Sequence, residues 1–448
     1  MSDGAKREQW QSRGGFILAM IGAAVGLGNI WRFSYVAGEN GGATFILVYL
    51  VFIFVIGTPI VIAEIAVGRH SRGDAVESFR AIAPEKIWIA AGALGIMGAA
   101  LVMAFYFVIA GWTLKYFVGA ATGSLWRLAG DNYGAYFEAF IAKPWEPVVW
   151  QFLVMIMAVA VVSRGVQGGI ERFTRILMPL LAAIVVGLAI LSVTHPGAER
   201  GLRFLFSPNW SLLRSADIYL VALGQAFFSL SIGMAVYLTY GSYLAGHHRI
   251  PTAAAAVIAG DTLIALLAGV AIFPAVFAFG LDPASGPRLV FITLPQLFLS
   301  MPGGVVVGVI FFFLLSASAL SASVSGIEVC VSYVMRRFRL KRSSAAFAVG
   351  FAIFLVGIPA SLGYGVWNDI RWGDRLILET VDYFVSNAIL PAGGLLTALF
   401  VGWRWGKSAA LKESDFGDTR LGHVWLWLLR VAVPLFIVLI FLRAVRVL

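Results

Sequence analysis

Residues 21–33, IGAAVGLGNIWRF, place Asn29 and Arg32 in an otherwise apolar run that also holds Gly22, Gly26 and Gly28. Glycine weakens a helix by about 1 kcal/mol relative to alanine. Gly22 and Gly26 form a small-xxx-small pair, which also serves helix packing. Packing does not account for Gly28-Asn29 followed by Arg32, whereas an unwound stretch accounts for all of them. Freed carbonyls bind a cation, freed N–H groups bind an anion, and Asn29 adds a side-chain oxygen. GQAFFSLSIGMAVYLTY (224–240) is the counterpart, interrupted near its middle by Ser229, Ser231 and Gly233. Carboxylates inside other apolar runs, Asp261 and Glu328 among them, are functional candidates by position, although Asp261 near a span end also reads as merely hydrated. This is ion-binding chemistry rather than bond-making chemistry. The five histidines lie mostly in loops, and no nucleophile–base or metal-ligand spacing occurs, which argues against an enzyme. The single cysteine, Cys330, excludes an internal disulfide and a cysteine-based metal site.

The elements that position these residues follow from composition. The chain of 448 residues is 60% hydrophobic and only 12% charged, with a mean hydropathy of +0.89. Apolar runs of about 20 residues recur along its whole length, which predicts an all-α polytopic membrane protein of about 11 transmembrane helices rather than a soluble domain or a barrel. The expected spans are 13–37, 42–69, 87–121, 147–163, 170–193, 215–245, 252–280, 303–335, 344–363, 376–403 and 423–447. About 20 of the 33 Lys and Arg then fall on the amino-terminal side, RRFRLKR (336–342) being the richest loop; this places the amino terminus in the cytoplasm and the carboxyl terminus outside. The net charge of +10 is thus a matter of topology and not of nucleic-acid binding. No secretory signal is evident, since Arg32 and Glu39 follow the first apolar segment without a small-residue cleavage site. SGPRLVFITLPQLFLSMPGG (285–304) is too short and Pro-rich to span and reads as a helical hairpin over an outer vestibule, or as an amphipathic loop. The whole chain, 1–448, is one membrane domain.

Spans one and six each open a set of five. Interrupted helices at matching positions of two halves point to the midplane site of an inverted-repeat transporter.

The motifs KREQW (6–10), GLGNIWRF (26–33), ENGG (39–42), GTPIVIAE (57–64), GGIERF (168–173) and FITLP (291–295) resemble the neurotransmitter:sodium symporter family, over nearly the whole chain. With about 11 spans, the chain looks like the bacterial hydrophobic amino acid transporters of that family. The resemblance implies a LeuT-like 5+5 inverted repeat, with repeats over 13–193 and 215–403, an extra helix at 423–447, and broken helices one and six. It implies a substrate carboxylate at Gly26, Leu27 and Tyr106, and an amine at carbonyls around Ala24, Phe228 and Ser231. Monoamine members carry an aspartate at the Gly26 position; Gly26 favours a substrate with its own carboxylate. The side-chain pocket is then Val102, Phe228, Met234, Ala322 and Gly326, roomy and suited to large apolar side chains. One sodium is expected at Ala24, Asn29, Ser229 and Asp261, with the substrate carboxylate as a shared ligand. A second is expected at Gly22, Val25, Ser318 and Ser321, weakened because the family's next hydroxyl is Ala322. The chloride-binding serine of animal members aligns with Ala265, so Asp261 stands in for chloride and takes a proton after sodium leaves. No chloride requirement is expected.

The same resemblance makes Arg32 and Asp382, with Gln225, the outer gate. Arg7, Trp10 and Tyr243 form the inner gate, whose usual aspartate aligns with Arg336. Glu64 is the carboxylate that braces the broken helices. Gly169 and Pro179 bracket the part of span five that unwinds to admit water; an ordinary helix start followed by a proline kink fits the same residues. The implied activity is sodium-coupled symport of hydrophobic L-amino acids across a bacterial-type plasma membrane. The alternatives are a sodium-responsive receptor or channel on the same scaffold, and a transporter of osmolytes or small neutral amino acids.

Overall fold

The computed structural model describes residues 8–128, 132–244, 248–284 and 289–444. Among these, eight helices are long and apolar enough to cross a membrane by themselves: Ala43–Ser71, Lys86–Ala121, Val166–Val193, Ile250–Ala278, Gly304–Phe338, Arg342–Leu362, Ile377–Arg404 and Arg420–Leu442. Two bent pairs also qualify if each is one span, Arg13–Ala24 with Gly28–Glu39 at 50°, and Tyr133–Ile141 with Glu146–Val162 at 77°. The expected span at 215–245 is the pair Asp217–Ser229 and Val236–Gly241. The spans predicted from sequence therefore all correspond to helical segments, with ends shifted by a few residues. They are numbered here in chain order, from span 1 (Arg13–Glu39) to span 11 (Arg420–Leu442).

Smaller elements escaped the sequence reading. Short helices cover Ala75–Ile82, Glu199–Phe206 and Lys407–Glu413, and a two-stranded hairpin pairs Arg371–Trp372 with Arg375–Leu376. Where a hairpin of helices was expected between 285 and 304, the described residues hold one helix, Thr293–Ser300, preceded by turns. Its Leu294, Leu297 and Phe298 are buried, and residues 285–288, on which the other arm of the expected hairpin falls, lie outside the described residues.

Span 3 (Lys86–Ala121) is the central post, packed against spans 4, 8 and 9. Close approach is paid for in side chains: a Cβ on Gly111 would sit 2.7 Å from the backbone nitrogen of Gln151 in span 4. Spans 5 and 11 have the smallest buried share, one-third of the apolar window in each, and their outer faces suit lipid.

The two breaks are backbone features. In span 1 the helix stops at Ala24, Val25 is extended (φ −73°, ψ 104°), and winding resumes at Gly28. In span 6 the break runs from Leu230 to Ala235, with left-handed φ at Ser231 (54°), Gly233 (80°) and Ala235 (56°). Left-handed φ at two non-glycine residues is strain that the surrounding packing must hold.

Candidate functional site

The breaks face one another, and the polar residues of both converge. Asn29 Nδ2 donates to Asp261 Oδ1 (2.7 Å), the Asp261 carbonyl (3.0 Å) and Ser229 Oγ (3.2 Å). Ser229 Oγ lies 3.0 and 3.1 Å from the two carboxylate oxygens of Asp261, and the Tyr49 hydroxyl reaches Oδ2 at 3.4 Å. Spans 1, 6 and 7 thus meet at one fully buried carboxylate whose partners are all neutral donors. The oxygens gathered around the Asn29 amide are those a hard cation prefers, and turning that amide over would present its own oxygen to the same point. Asn29 Oδ1 meanwhile accepts from Gly26 N–H at 3.1 Å, so the amide is held from both sides.

One residue further, Leu27 N–H donates to the Tyr106 hydroxyl at 2.8 Å. The backbone N–H groups of Gly26 and Leu27 open the second half of a broken helix, where an anion is favoured. Glycine is required at 26: a Cβ there would stand 2.6 Å from Tyr106 Oη and 2.8 Å from Ala322 Cβ. A cavity of about 20 Å³ adjoins these groups, lined by Ala24, Gly26, Val102, Tyr106, Phe228, Ser231, Met234 and Ala322 together with Met103 and Ser325. The sequence-expected pocket is therefore assembled, with one exception. Gly326 does not line the cavity; Met103 lies over it and takes its place.

Of the second expected ion site, Ser321 and Gly22 do meet, Ser321 Oγ donating to the Gly22 carbonyl at 2.8 Å. Ser318 and Val25 are expected there through their carbonyls; both residues are buried, Val25 at the break, and the Ser318 hydroxyl donates to the Leu315 carbonyl of its own helix. Ser323 bonds back to Ala319 and supplies nothing in place of Ala322.

Glu64 reaches the break of span 6. Glu64 in span 2 accepts from Gly233 N–H at 2.9 Å, inside the break of span 6, and is 1% exposed. Glu64→Ala leaves that N–H without its acceptor, at a cost of about 1–3 kcal/mol. A lowered melting temperature of the detergent-solubilised protein is expected, with a smaller drop for Glu64→Gln, which keeps a carbonyl oxygen. An unchanged melting temperature in Glu64→Ala would remove the bracing role.

Both ends of the cavity are shut. On one side Arg32 pairs with Asp382 at 3.7 Å, donates to Gln225 at 3.2 Å, and lies over the Phe228 ring with its guanidinium carbon 4.6 Å from the centroid. Gln225 in turn holds the Gly28 carbonyl at 2.8 Å. On the side of residues 8–12, Trp10 is buried between Phe16, Tyr240 and Tyr243, its indole N–H donating to the Tyr240 carbonyl at 3.0 Å. Arg7 lies outside the described residues. Arg336 takes no part; it faces Asp74 and Glu77, both at 3.7 Å, on the surface.

The ion pair that Arg336 does not make is made elsewhere, by residues the sequence reading did not assign. Arg342, at the start of span 9, forms two bonds to Glu328 (Nη1–Oε2 2.6 Å, Nη2–Oε1 3.1 Å) and an ion pair with Glu8 (2.9 Å). Tyr243 donates to Glu328 at 2.6 Å. Glu8 also accepts from Val166 N–H, and Glu171 accepts from Gln11 N–H (2.8 Å), Ser12 Oγ (3.0 Å) and Arg175 (2.6 Å). The strap of residues 8–12 is thereby tied to the beginning of span 5. That beginning is wound here, Val166–Glu171 running as wide π turns into Arg172–Val193 with Pro179 inside. Arg342 was absorbed into a loop rich in Lys and Arg, where charge reads as topology; Glu328 as an intramembrane carboxylate was the one available signal for the pair.

The comparisons agree with this geometry. The family model described as sodium:neurotransmitter symporter family matches residues 7–135 and 142–448. An uncharacterized sodium-dependent transporter of Bacillus subtilis, YhdH, is 39% identical over 99% of both chains, and one of Haemophilus influenzae is 33% identical over 98% of both. The rat sodium- and chloride-dependent GABA transporter 2 is 26% identical, covering 90% of this chain and 74% of its own. Among solved structures, the crystal structure of MhsT in complex with L-phenylalanine superposes with a TM-score of 0.94 at 51% identity, covering 98% of this chain and all of that one. Two broken helices around a buried polar cluster, a multi-pass helical fold and a family match over nearly the full length agree: this chain belongs to the sodium:neurotransmitter symporter family of membrane transporters.

Proposed function

We propose that the protein carries hydrophobic L-amino acids, aliphatic and aromatic, into the cell in symport with sodium, by alternating access around the site between spans 1, 3, 6 and 8. The observation that carries the reading is Asp261: a fully buried carboxylate whose side-chain partners among the described residues are Asn29, Ser229 and Tyr49 needs a cation or a proton to balance it. Sodium supplies the charge while substrate is bound, and a proton replaces it on the return. No chloride is then needed, and the two five-helix repeats rock about the fixed site. Sodium binding turns the Asn29 amide, which releases Gly26 N–H to the substrate carboxylate; ion and substrate each complete the other's site. The apolar walls Val102, Phe228 and Met234 suit an apolar side chain, and the neighbouring MhsT structure holds L-phenylalanine. With residues 8–12 in the cytoplasm, Arg32 and Asp382 form the outer gate, and Trp10, Tyr243, Glu328 and Arg342 the inner one.

The test is uptake of labelled L-leucine and L-tryptophan into proteoliposomes with and without an inward sodium gradient. Sodium-driven accumulation that is unchanged when gluconate replaces chloride is the expected result. Sodium-dependent binding without uptake would favour a receptor, and no binding of either amino acid would overturn the substrate class.

A further inference from the structure

Span 9, Arg342–Leu362, has 21 residues, which as a helix measure about 30 Å, the thickness of the hydrocarbon core of a bilayer. Phe347, Phe351 and Leu355 stand four residues apart on one exposed face, as in a helix turned toward lipid. The chain leaves this helix at headgroup depth on the side of Arg32 and Asp382, and the apolar exposure continues. Val366, Trp367, Ile370 and Trp372 are all exposed, Ile370 by 54% and Trp372 by 68%. Large apolar side chains grouped this closely mark a surface that something covers. Asp369, Arg371, Asp374 and Arg375 lie among them, so the charge of residues 366–376 is balanced. The base of the segment is fixed. Tyr364 meets Trp112 edge to face with ring centroids 5.3 Å apart, and a Cβ on Gly365 would stand 2.2 Å from the Ala142 carbonyl oxygen. The far end, where Arg371–Trp372 pairs with Arg375–Leu376, is joined to the helix Ile377–Phe384. Trp372 meets Phe384 with centroids 5.9 Å apart, and the Arg375 guanidinium lies 4.2 Å from the centroid of Tyr383. That helix carries Asp382, the partner of Arg32.

We propose that residues 366–376 form a bilayer-docking hairpin, which seats Val366, Trp367, Ile370 and Trp372 among the lipid headgroups on the side of Arg32 and Asp382 and so steadies the helix that carries Asp382. Three observations make lipid the occupant. The patch is continuous with the lipid face of span 9. It stands at the depth where tryptophan is enriched. Its charge is balanced, so it has no net attraction for a charged partner, whereas an apolar and aromatic surface enters the interface without one. The docking goes beyond the symport reading and stands without it; the meaning of a steadied Asp382 rests on the gate described above.

The measurement is the fluorescence of an environment-sensitive probe on Ile370→Cys, in the full chain lacking Cys330, in phosphatidylcholine nanodiscs whose two faces both meet the buffer. Spin-labelled phosphatidylcholine carries the quencher either near the headgroup or near the end of the acyl chain. Strong quenching by the first, weak quenching by the second and weak quenching by iodide in the buffer is the expected pattern. The same pattern at Val366→Cys, which keeps Ile370 and Trp372, would show that the probe did not create the docking. Replacing part of the lipid by anionic phosphatidylglycerol should leave the pattern unchanged, because the segment is neutral. Quenching by iodide and by neither lipid would place the hairpin in water and overturn the proposal. Protection from all three quenchers would mean that protein, such as a second copy of the chain, covers it, and would overturn the proposal equally. For the link to Asp382, Ile370→Ser combined with Trp372→Ser is expected to speed the reaction of Asn387→Cys, one turn beyond Asp382 in the same span, with a membrane-impermeant thiol reagent. Equal rates at an unchanged melting temperature would remove that link. No arm uses substrate, so a failure of sodium-driven uptake would overturn symport and leave this inference standing.

Discussion

Asp261→Ala is expected to raise the sodium concentration needed for half-maximal L-phenylalanine binding by at least about 100-fold, enough to abolish sodium-driven binding in any usable buffer. Among the described residues Asp261 is the only carboxylate in the cluster with Asn29 and Ser229, and it is fully buried. Alanine removes the charge and also leaves the Asn29 and Ser229 donors without acceptors, so a folding defect needs separating from an ionic one. Asp261→Asn does this. It keeps the shape and an acceptor oxygen and loses only the negative charge; most of the loss in sodium affinity should persist. Ser229→Ala removes a neutral ligand and should cost about tenfold, since a hard cation retains its other oxygens. The measurement is a sodium titration of labelled substrate binding at fixed chloride. A wild-type titration curve in Asp261→Asn would show that the carboxylate neither binds the ion nor balances it.

The second large effect is expected at the other end of the molecule. Arg342→Ala leaves Glu328, fully buried, with Tyr243 as its remaining side-chain partner among the described residues and no cation among them bonded to it. An uncompensated buried carboxylate costs about 3–5 kcal/mol. The closed state in which Glu328 is buried bears that cost, whereas a state open to water on that side largely escapes it. A penalty of this size is about a hundredfold or more in population, so the protein should shift toward a form open to the cytoplasm. Sodium should close it less effectively. A cysteine introduced on the amino-terminal half of span 1, in a background lacking Cys330, should react faster with a membrane-impermeant thiol reagent applied from the cytoplasmic side. Glu328→Gln in the Arg342→Ala background removes the stranded charge and should restore slow labelling. Labelling rates identical in wild type and Arg342→Ala would mean that this pair does not hold the gate. Loss of the tie between Glu8 and Arg342 should also loosen the strap of residues 8–12, and with it the start of span 5 that Glu8 and Glu171 hold.

The polar cluster of Asn29, Ser229 and Asp261 was legible because each residue is costly where it stands. Glycines, an asparagine and serines in runs otherwise fit for lipid have few physical explanations, and an ion site between two broken helices is one of them. The pocket walls were expected only from the family resemblance, and Gly326 alone among them does not line the cavity. A glycine in a pocket motif reads as empty space, but the space belongs to Met103, a residue of another helix. The inner gate was the least legible. Arg336 stands where a partner was expected and turns to the surface instead, and the ion pair forms with Arg342, whose two carboxylates lie 334 and 14 residues away in the chain.

By itself, the sequence determined what is local: apolar length sets which segments enter the membrane, the Lys and Arg distribution sets the expected orientation, and glycines beside polar residues set where helices must open. The tertiary structure alone decided which side chains face each other across spans. It put Met103 against Gly326, Tyr49 on Asp261, Glu8 and Glu328 on Arg342, and the strap of residues 8–12 on Glu171. The physical reason is that a helix fixes its neighbours at three and four residues, whereas contacts between helices depend on rotation and register, which the packing of the whole bundle selects.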